Sequence, residues 1–448
     1  MVNSSIAGDE DRALRHRVME TLKPLSFLWG SAGLAVVVGA LGQILFARQL
    51  GPAGYGVIVT ANSIANLLGP FAALGVGLML MQKYGREGWA ALRWVAPSLR
   101  LYGACTFIAF VLFLAWALTA MDTPAERLAA ALLLPLVAAF GAIQLAESRF
   151  QLEHRFFHVA RWQLTKHASI FVVAAATLAG GWSLLGASVG LFVISALVAG
   201  YAFWAGAGMM RAEFDLKGHE AKPTKEVGER PSYKTIFLEA WPFAATSFGF
   251  LLFFQSSIAV VQALAGTHTA GVYGLAVSIM TAAYLLPRIL YRKFFLAKVS
   301  RWHFHDRGKV QAFVHRLVPA VALMSIPLAA LIALAAPALV HRIFGAEFAA
   351  TVPVLQVLAI ALPLRFLSSG LAVAAVETGD VRERVFWQFG LAGAAVVAIW
   401  AMLPQAGVVG VAAIMVTGEG ALAVMYWLLA TRPRKQAPSA AAPGGAQD

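Results

Sequence analysis

Arg365 lies about twelve residues into an apolar stretch at 353–376, a depth at which a guanidinium must face protein or water and not hydrocarbon. Its planar fork suits a carboxylate or a phosphate. Glu419 sits at a similar depth, entered from the same side, in the stretch 407–429. The two either form a buried ion pair of structural use or stand apart. If apart, Arg365 is a cavity cation and Glu419 the carboxylate that would carry a coupled proton or sodium ion. Three more arginines are candidates for holding an anion. Arg100 lies about six residues inside 95–120, where snorkelling to headgroups is the competing reading. Arg48 ends the first apolar stretch, where it either captures ligand at a gate or complements a helix C-terminus. Arg288 follows Pro287 and either meets an entering anion or anchors the chain at the interface.

Uncharged amides mark two faces. Asn62 and Asn66 are spaced i, i+4, and Gln255 and Gln262 are seven apart, so each pair shares one side of a helix. Both pairs read as walls of a cavity or as interhelical hydrogen bonds. Glu239, in the first turn of its stretch, reads as a helix-dipole partner. The lone Cys105 rules out an internal disulfide and a thiolate metal cluster, and no zinc, Walker or dinucleotide signature occurs. No metal or cofactor is expected, and no built-in ATP hydrolysis.

Of 448 residues, 60% are hydrophobic and 13% charged, and mean hydropathy is +0.72. A water-soluble surface needs about twice that charge, so the chain is expected to be an all-α integral membrane protein. A crossing takes about 20 apolar residues, and twelve stretches qualify: 25–46, 56–80, 95–120, 128–147, 167–181, 185–207, 239–262, 270–291, 317–337, 353–376, 386–403 and 407–429. With both termini on one side, 30 of the 35 Lys and Arg fall in the segments on that side and three on the other. The positive-inside rule makes the cation-rich side cytoplasmic. The net charge of +13 is then topology, and nucleic acid drops out as a partner. The N-terminus carries acids as well as bases and does not read as a cleaved signal.

The halves resemble each other. Tyr55 falls on Tyr273, Pro24 on Pro242 and Pro135 on Pro353 at an offset of 218 residues, and Pro70 falls on Pro287 at 217. Six spans per half give a parallel repeat about an axis along the membrane normal. The expected organisation is a cytoplasmic segment 1–24, an N-lobe 25–207, a cytoplasmic loop 208–238, a C-lobe 239–429 and a disordered cytoplasmic tail 430–448. Two such six-helix lobes enclose a central cavity able to open to either side.

Four motifs carry a family resemblance. Arg48-Gln49-Leu50-Gly51-Pro52-Ala53-Gly54-Tyr55-Gly56 resembles the R-x-L-G-P-x-x-Y-G signature of bacterial polysaccharide flippases, the O-antigen and exopolysaccharide translocases. Gly75-Val76-Gly77 before Lys83-Tyr84 resembles that family's second-span ending. Ala270-Gly271-Val272-Tyr273-Gly274 resembles its eighth-span opening, and Phe344-Gly345-Ala346-Glu347-Phe348 its F-G-x-x-F stretch. The wider superfamily also holds lipid II flippases and multidrug-and-toxin extruders. The resemblance implies translocation of an undecaprenyl-pyrophosphate-linked oligosaccharide across the bacterial inner membrane by alternating access. It implies as partners that lipid-linked sugar, membrane lipids, and a polysaccharide polymerase with its export machinery.

Two other readings share the sequence. A multidrug or metabolite cation antiporter would have the same lobes with a cavity poor in arginine. A membrane-bound oligosaccharide polymerase or ligase would need acids and bases on the cation-poor side, where the longest loop, 338–352, offers only His341, Arg342 and Glu347.

Overall fold

The computed structural model describes residues 2–217, 228–375 and 381–432, and every regular element in them is helical. The tail from 433 onward and the centre of the 208–238 loop lie outside the described residues. The first helix, α1 (Val2–Ala73), has 72 residues. At 1.5 Å per residue it would be about 108 Å long, over three times a hydrocarbon core of about 30 Å. It is therefore two legs, and the break is Gly51 at φ 64°, ψ −179°, a region essentially closed to residues with a Cβ. Pro52 restarts the helix with the φ it is built for. The N-terminal half continues with α2 (Val76–Glu87), α3 (Leu92–Ala120), α4 (Pro124–Ala131), α5 (Pro135–Leu152), α6 (Phe156–Gly180) and α7 (Leu184–Gly206).

After a short α8 (Gly208–Arg211), the second half opens with α9 (Tyr233–Ala283). It breaks at Gly266, φ 78°, ψ 174°, the same backbone class as Gly51 and at the equivalent junction of the repeat. Then come α10 (Leu285–Ile289), α11 (Leu296–His305), α12 (Arg307–Ala312), α13 (Val318–Met324), α14 (Ile326–Leu339), α15 (Thr351–Ala359), α16 (Ala361–Ala374) and α17 (Val381–Thr431). The last breaks at Gly407, φ 59°, ψ −161°. Divided at these glycines and at the turns, the helices supply a leg at each of the expected spans. Six stretches pass a length and hydropathy test for crossing a bilayer, seven if a bent pair is one span, and the longest, Gly33–Ala120, contains three legs.

Two details differ from expectation, each for a backbone reason. The fourth span of each half is two helices, not one. In the first half Pro135 begins a new helix after Leu132–Leu134. In the second, α15 and α16 meet at 41°, where Pro363 cannot donate to the carbonyl four residues back. The seventh span begins six residues early, at Tyr233, because Ser232 caps it by accepting from the Thr235 amide at 3.2 Å; Glu239 therefore sits in the second turn.

Large apolar side chains face outward along the spans, among them Phe107, Leu323, Leu334 and Trp400, as a bilayer solvent requires. The interior is filled by Phe46, Tyr55, Phe113, Tyr273 and Tyr291, each fully buried.

Candidate functional site

The two halves touch along a seam whose ends differ in chemistry. At the cation-poor end the second leg of α1 packs directly on the second leg of α9. A Cβ added to Gly56 would collide with the carbonyl oxygen of Thr267, and one added to Gly271 with that of Pro52. Around this crossing, polar bonds join the halves. Gln262 donates from Nε2 to the Ala120 carbonyl at 2.6 Å. Thr267 donates from Oγ1 to Glu126 at 2.9 Å, and the Tyr55 and Ser278 hydroxyls are 3.2 Å apart. Arg48 donates from Nη2 to the Arg342 carbonyl at 3.1 Å. Glu126 is held for this by a capping box with Thr123 at the start of α4. This face is closed.

Toward the cation-rich end the halves meet through different groups. Phe71 packs on Phe248 with ring centroids 4.1 Å apart. Lys83 of α2 reaches Glu239 of α9 at 3.3 Å while lying over the Trp94 ring at 4.0 Å. Glu239, read from sequence as a dipole partner, is thus half of an ion pair between the lobes.

Arg365 and Glu419 come together. Arg365 donates from Nη1 to Glu419 Oε1 at 2.9 Å, and Ser368 donates to Oε2 at 3.1 Å. The carboxylate is fully buried and the arginine side chain 10% exposed. The guanidinium is also stacked over Phe254 at 4.9 Å and Tyr284 at 5.4 Å. Of the two arrangements the sequence allowed, the structure adopts the pair, formed between α16 and α17 inside one lobe. The bend at Pro363 brings Arg365 toward it.

The other expected residues divide. Arg48 and Gln262 belong to the closed seam, each bonding across the halves. Gln255, Asn62 and Asn66 are half-buried, with no hydrogen bond among the described residues. Arg100 is exposed on α3, in the position of a snorkelling cation. Arg288 is exposed on α10 and within electrostatic reach of Lys166 in the opposite half.

Lys166 belongs to a cluster the sequence reading counted only as topology. Half-buried on α6, it interacts electrostatically with Glu147 of α5 and lies over the Phe140 ring at 5.3 Å. His167 beside it is packed against the backbone of Gly39, where an added Cβ would come within 2.6 Å of Nδ1. The available signal was Glu147 itself, an acid at the end of a span, with a Lys-His pair opening the next.

A groove of about 440 Å³ also lies between the halves, lined by Ile64, Trp116, Val260, Leu264, Val397 and Trp400 among others. It is apolar throughout, unlike the cation-lined chamber expected from sequence. Charged groups gather instead nearer the cation-rich end. Among the described residues no His, Cys, Asp and Glu cluster could hold a metal ion.

A family model described as polysaccharide biosynthesis protein matches residues 22–286. Among solved structures, an inward-facing multidrug resistance transporter of the MATE family of the MOP superfamily matches with a TM-score of 0.63 at 13% identity, covering 88% of this chain and 93% of that one. The MATE multidrug transporter DinF-BH, solved as a complex, matches at 0.58 and 16% identity, covering 91% and 94%. At such identities the likeness shows the two-lobed fold alone. No curated protein matches.

Proposed function

This chain belongs to the polysaccharide biosynthesis protein family, and from that premise we propose that it is a flippase moving a polyprenyl-pyrophosphate-linked oligosaccharide between the leaflets of a bacterial inner membrane. The family match, on a two-lobed transporter fold, is the observation that carries the reading. The cargo sets a clear physical problem: an anionic headgroup too polar for about 30 Å of hydrocarbon, on a tail that can remain in lipid. Two lobes that open alternately let the headgroup pass through water while the tail stays outside.

The charge bias supports cytoplasmic termini, which makes the sealed Gly56–Gly271 end the outer gate and the conformation described here closed to the outside. Opening it requires breaking the bonds of Gln262, Thr267, Tyr55 and Arg48. None is a buried ion pair: the neutral bonds cost about 1 kcal/mol each to exchange for water, and the two that involve Glu126 and Arg48 about 1.5–3 kcal/mol each. A seam of such bonds is reversible. The Arg365–Glu419 pair serves a different purpose, holding α16 to α17 so that the C-lobe moves as a body.

A strain lacking the gene tests this function. It should accumulate lipid-linked oligosaccharide in the cytoplasmic leaflet and lose surface polysaccharide, with both restored by the intact gene. Normal surface polysaccharide in the deletion, together with lost resistance to organic cations, would overturn the reading in favour of an antiporter.

A further inference from the structure

Between α6 and α7 lies a groove of about 250 Å³, lined by Arg161, Trp162 and Thr165 of the first helix and Leu197, Val198 and Tyr201 of the second. Leu197 and Tyr201 are exposed, as is Trp204 one turn further on, so the groove opens on the side that meets lipid. At 1.5 Å per residue Trp162 is about 9 Å from the start of α6, and Tyr201 about 8 Å from the end of α7. Both are cation-rich ends. The groove therefore sits at the depth where headgroups give way to hydrocarbon chains.

Two of its polar groups lack partners. Nearby arginines have carboxylates: Arg149 and Arg155 pair with Glu153 at 2.9 and 3.0 Å, and Arg211 with Glu213 at 2.7 Å. Arg161 is exposed, and its guanidinium makes no hydrogen bond or ion pair among the described residues. Trp162 next to it is 2% exposed, and its indole Nε1 has no hydrogen-bond partner among them either. A buried N–H without an acceptor is costly to keep. Thr165 has already spent its hydroxyl proton on the Arg161 carbonyl at 2.8 Å.

The remaining walls narrow the ligand further. Leu197 and Val198 offer hydrocarbon. The rings are committed to one another, Trp162 to Tyr201 with centroids 5.3 Å apart and Tyr201 to Trp204 at 5.9 Å, while Arg211 already lies over Trp204 at 5.5 Å. No carboxylate lines the groove, so nothing in it answers a cationic headgroup. An arginine and an indole N–H call for acceptor oxygens carrying negative charge, and the apolar wall calls for a chain.

We propose that the α6–α7 groove is a binding site for an anionic phospholipid of the cation-rich leaflet. Arg161 holds the phosphate, the Trp162 Nε1 donates to an oxygen at the ester level, and one acyl chain runs along Leu197 and Val198. All six lining residues belong to the N-lobe, so the site does not depend on what the protein transports.

The experiment titrates the purified full chain in dodecyl maltoside with dioleoyl phosphatidylglycerol, and separately with dioleoyl phosphatidylcholine, counting bound lipid by native mass spectrometry. Phosphatidylglycerol should bind roughly fivefold tighter, the scale of one interfacial arginine. Arg161→Ala should erase that preference, whereas Arg86→Ala, removing an exposed arginine of α2, should preserve it. Leu197→Trp, which fills the groove without changing its charge, and Trp162→Phe, which removes the N–H but keeps a ring, should each weaken both lipids about threefold or more. Arg161 and Leu197 are surface positions, so neither replacement threatens the fold. A preference that survives Arg161→Ala, or falls as far in Arg86→Ala, would overturn the site in favour of general attraction to a cationic surface. Leu197→Trp and Trp162→Phe proteins that bind like wild type would overturn the groove as the place of binding. Displacement of the lipid by sn-glycerol 3-phosphate would overturn a phospholipid as its occupant.

Discussion

Gly56 and Gly271 meet backbone to backbone across the lobe interface. A Cβ on Gly56 would lie 3.0 Å from the Gly271 amide nitrogen, and one on Gly271 3.1 Å from that of Gly56. The contact is reciprocal, as two equivalent helices of a repeat crossing near their axis would make it. Closing the face therefore requires that neither residue carry a side chain. Gly56→Ala should hold the two legs apart and shift the protein toward the state open at this end. Spin labels on the exposed positions 53 and 349 would show a longer inter-lobe distance in the variant. An unchanged distance distribution would show that the glycines are not the limiting contact.

The Arg365–Glu419 pair makes a prediction about stability. Removing one partner of a buried pair leaves the other uncompensated, at a cost of about 3–5 kcal/mol. Arg365→Ala and Glu419→Leu should each lower the yield and thermal midpoint of the detergent-purified protein. Arg365→Met with Glu419→Leu should recover much of the loss, since an apolar replacement of the whole pair is often neutral. Export by that double variant would show the pair to be a brace. A stable but export-dead double variant would return Arg365 or Glu419 to the transport machinery.

The Lys83–Glu239 bridge joins the lobes at the opposite end, with the lysine side chain 10% exposed and the carboxylate 43%. Half-exposed, it contributes only about 1 kcal/mol after solvent screening. Lys83→Glu should reduce export through repulsion, and the swap Lys83→Glu with Glu239→Lys should restore part of it. Equal export by single and double variants would mean that the bridge is incidental to inter-lobe geometry.

Gln262 offers the mildest perturbation of the closed seam. Gln262→Leu keeps the volume, removes the donor to the Ala120 carbonyl, and should cost about 1–2 kcal/mol in closure. A maleimide should then label a cysteine placed at Ser278, itself in the seam beside Tyr55, faster than it labels the same cysteine in a protein that keeps Gln262. Unaltered labelling would place the seal elsewhere.

Much of this arrangement was legible in the residues. Hydropathy located the spans because a bilayer admits few other solutions. The recurrence of Tyr55 at Tyr273 anticipated equivalent junctions, which the matching backbones of Gly51 and Gly266 display. Partners were harder. Glu419 could be matched to Arg365 by depth alone, since both enter from one side, but depth does not say which way a side chain points. That direction depends on the α15–α16 bend at Pro363. Gln262 looked like a wall residue because periodicity gives a face and not what the face meets. Glu147 and Lys166 escaped notice for a related reason: near the end of a span, an ionisable residue counts as an interfacial anchor until the helices from both lobes are seen around it.

The most direct test of the whole account is transport by the purified chain in vesicles. Proteoliposomes containing fluorescent undecaprenyl-pyrophosphate-linked oligosaccharide should expose it to an external glycosidase or quencher at a rate that rises with protein content. Cross-linking cysteines at 53 and 349 to hold the seam shut should abolish that rate, and reduction should restore it. Lipid-linked sugar that crosses no faster than in protein-free vesicles, or as fast with the seam locked, would contradict a flippase that works by opening this gate.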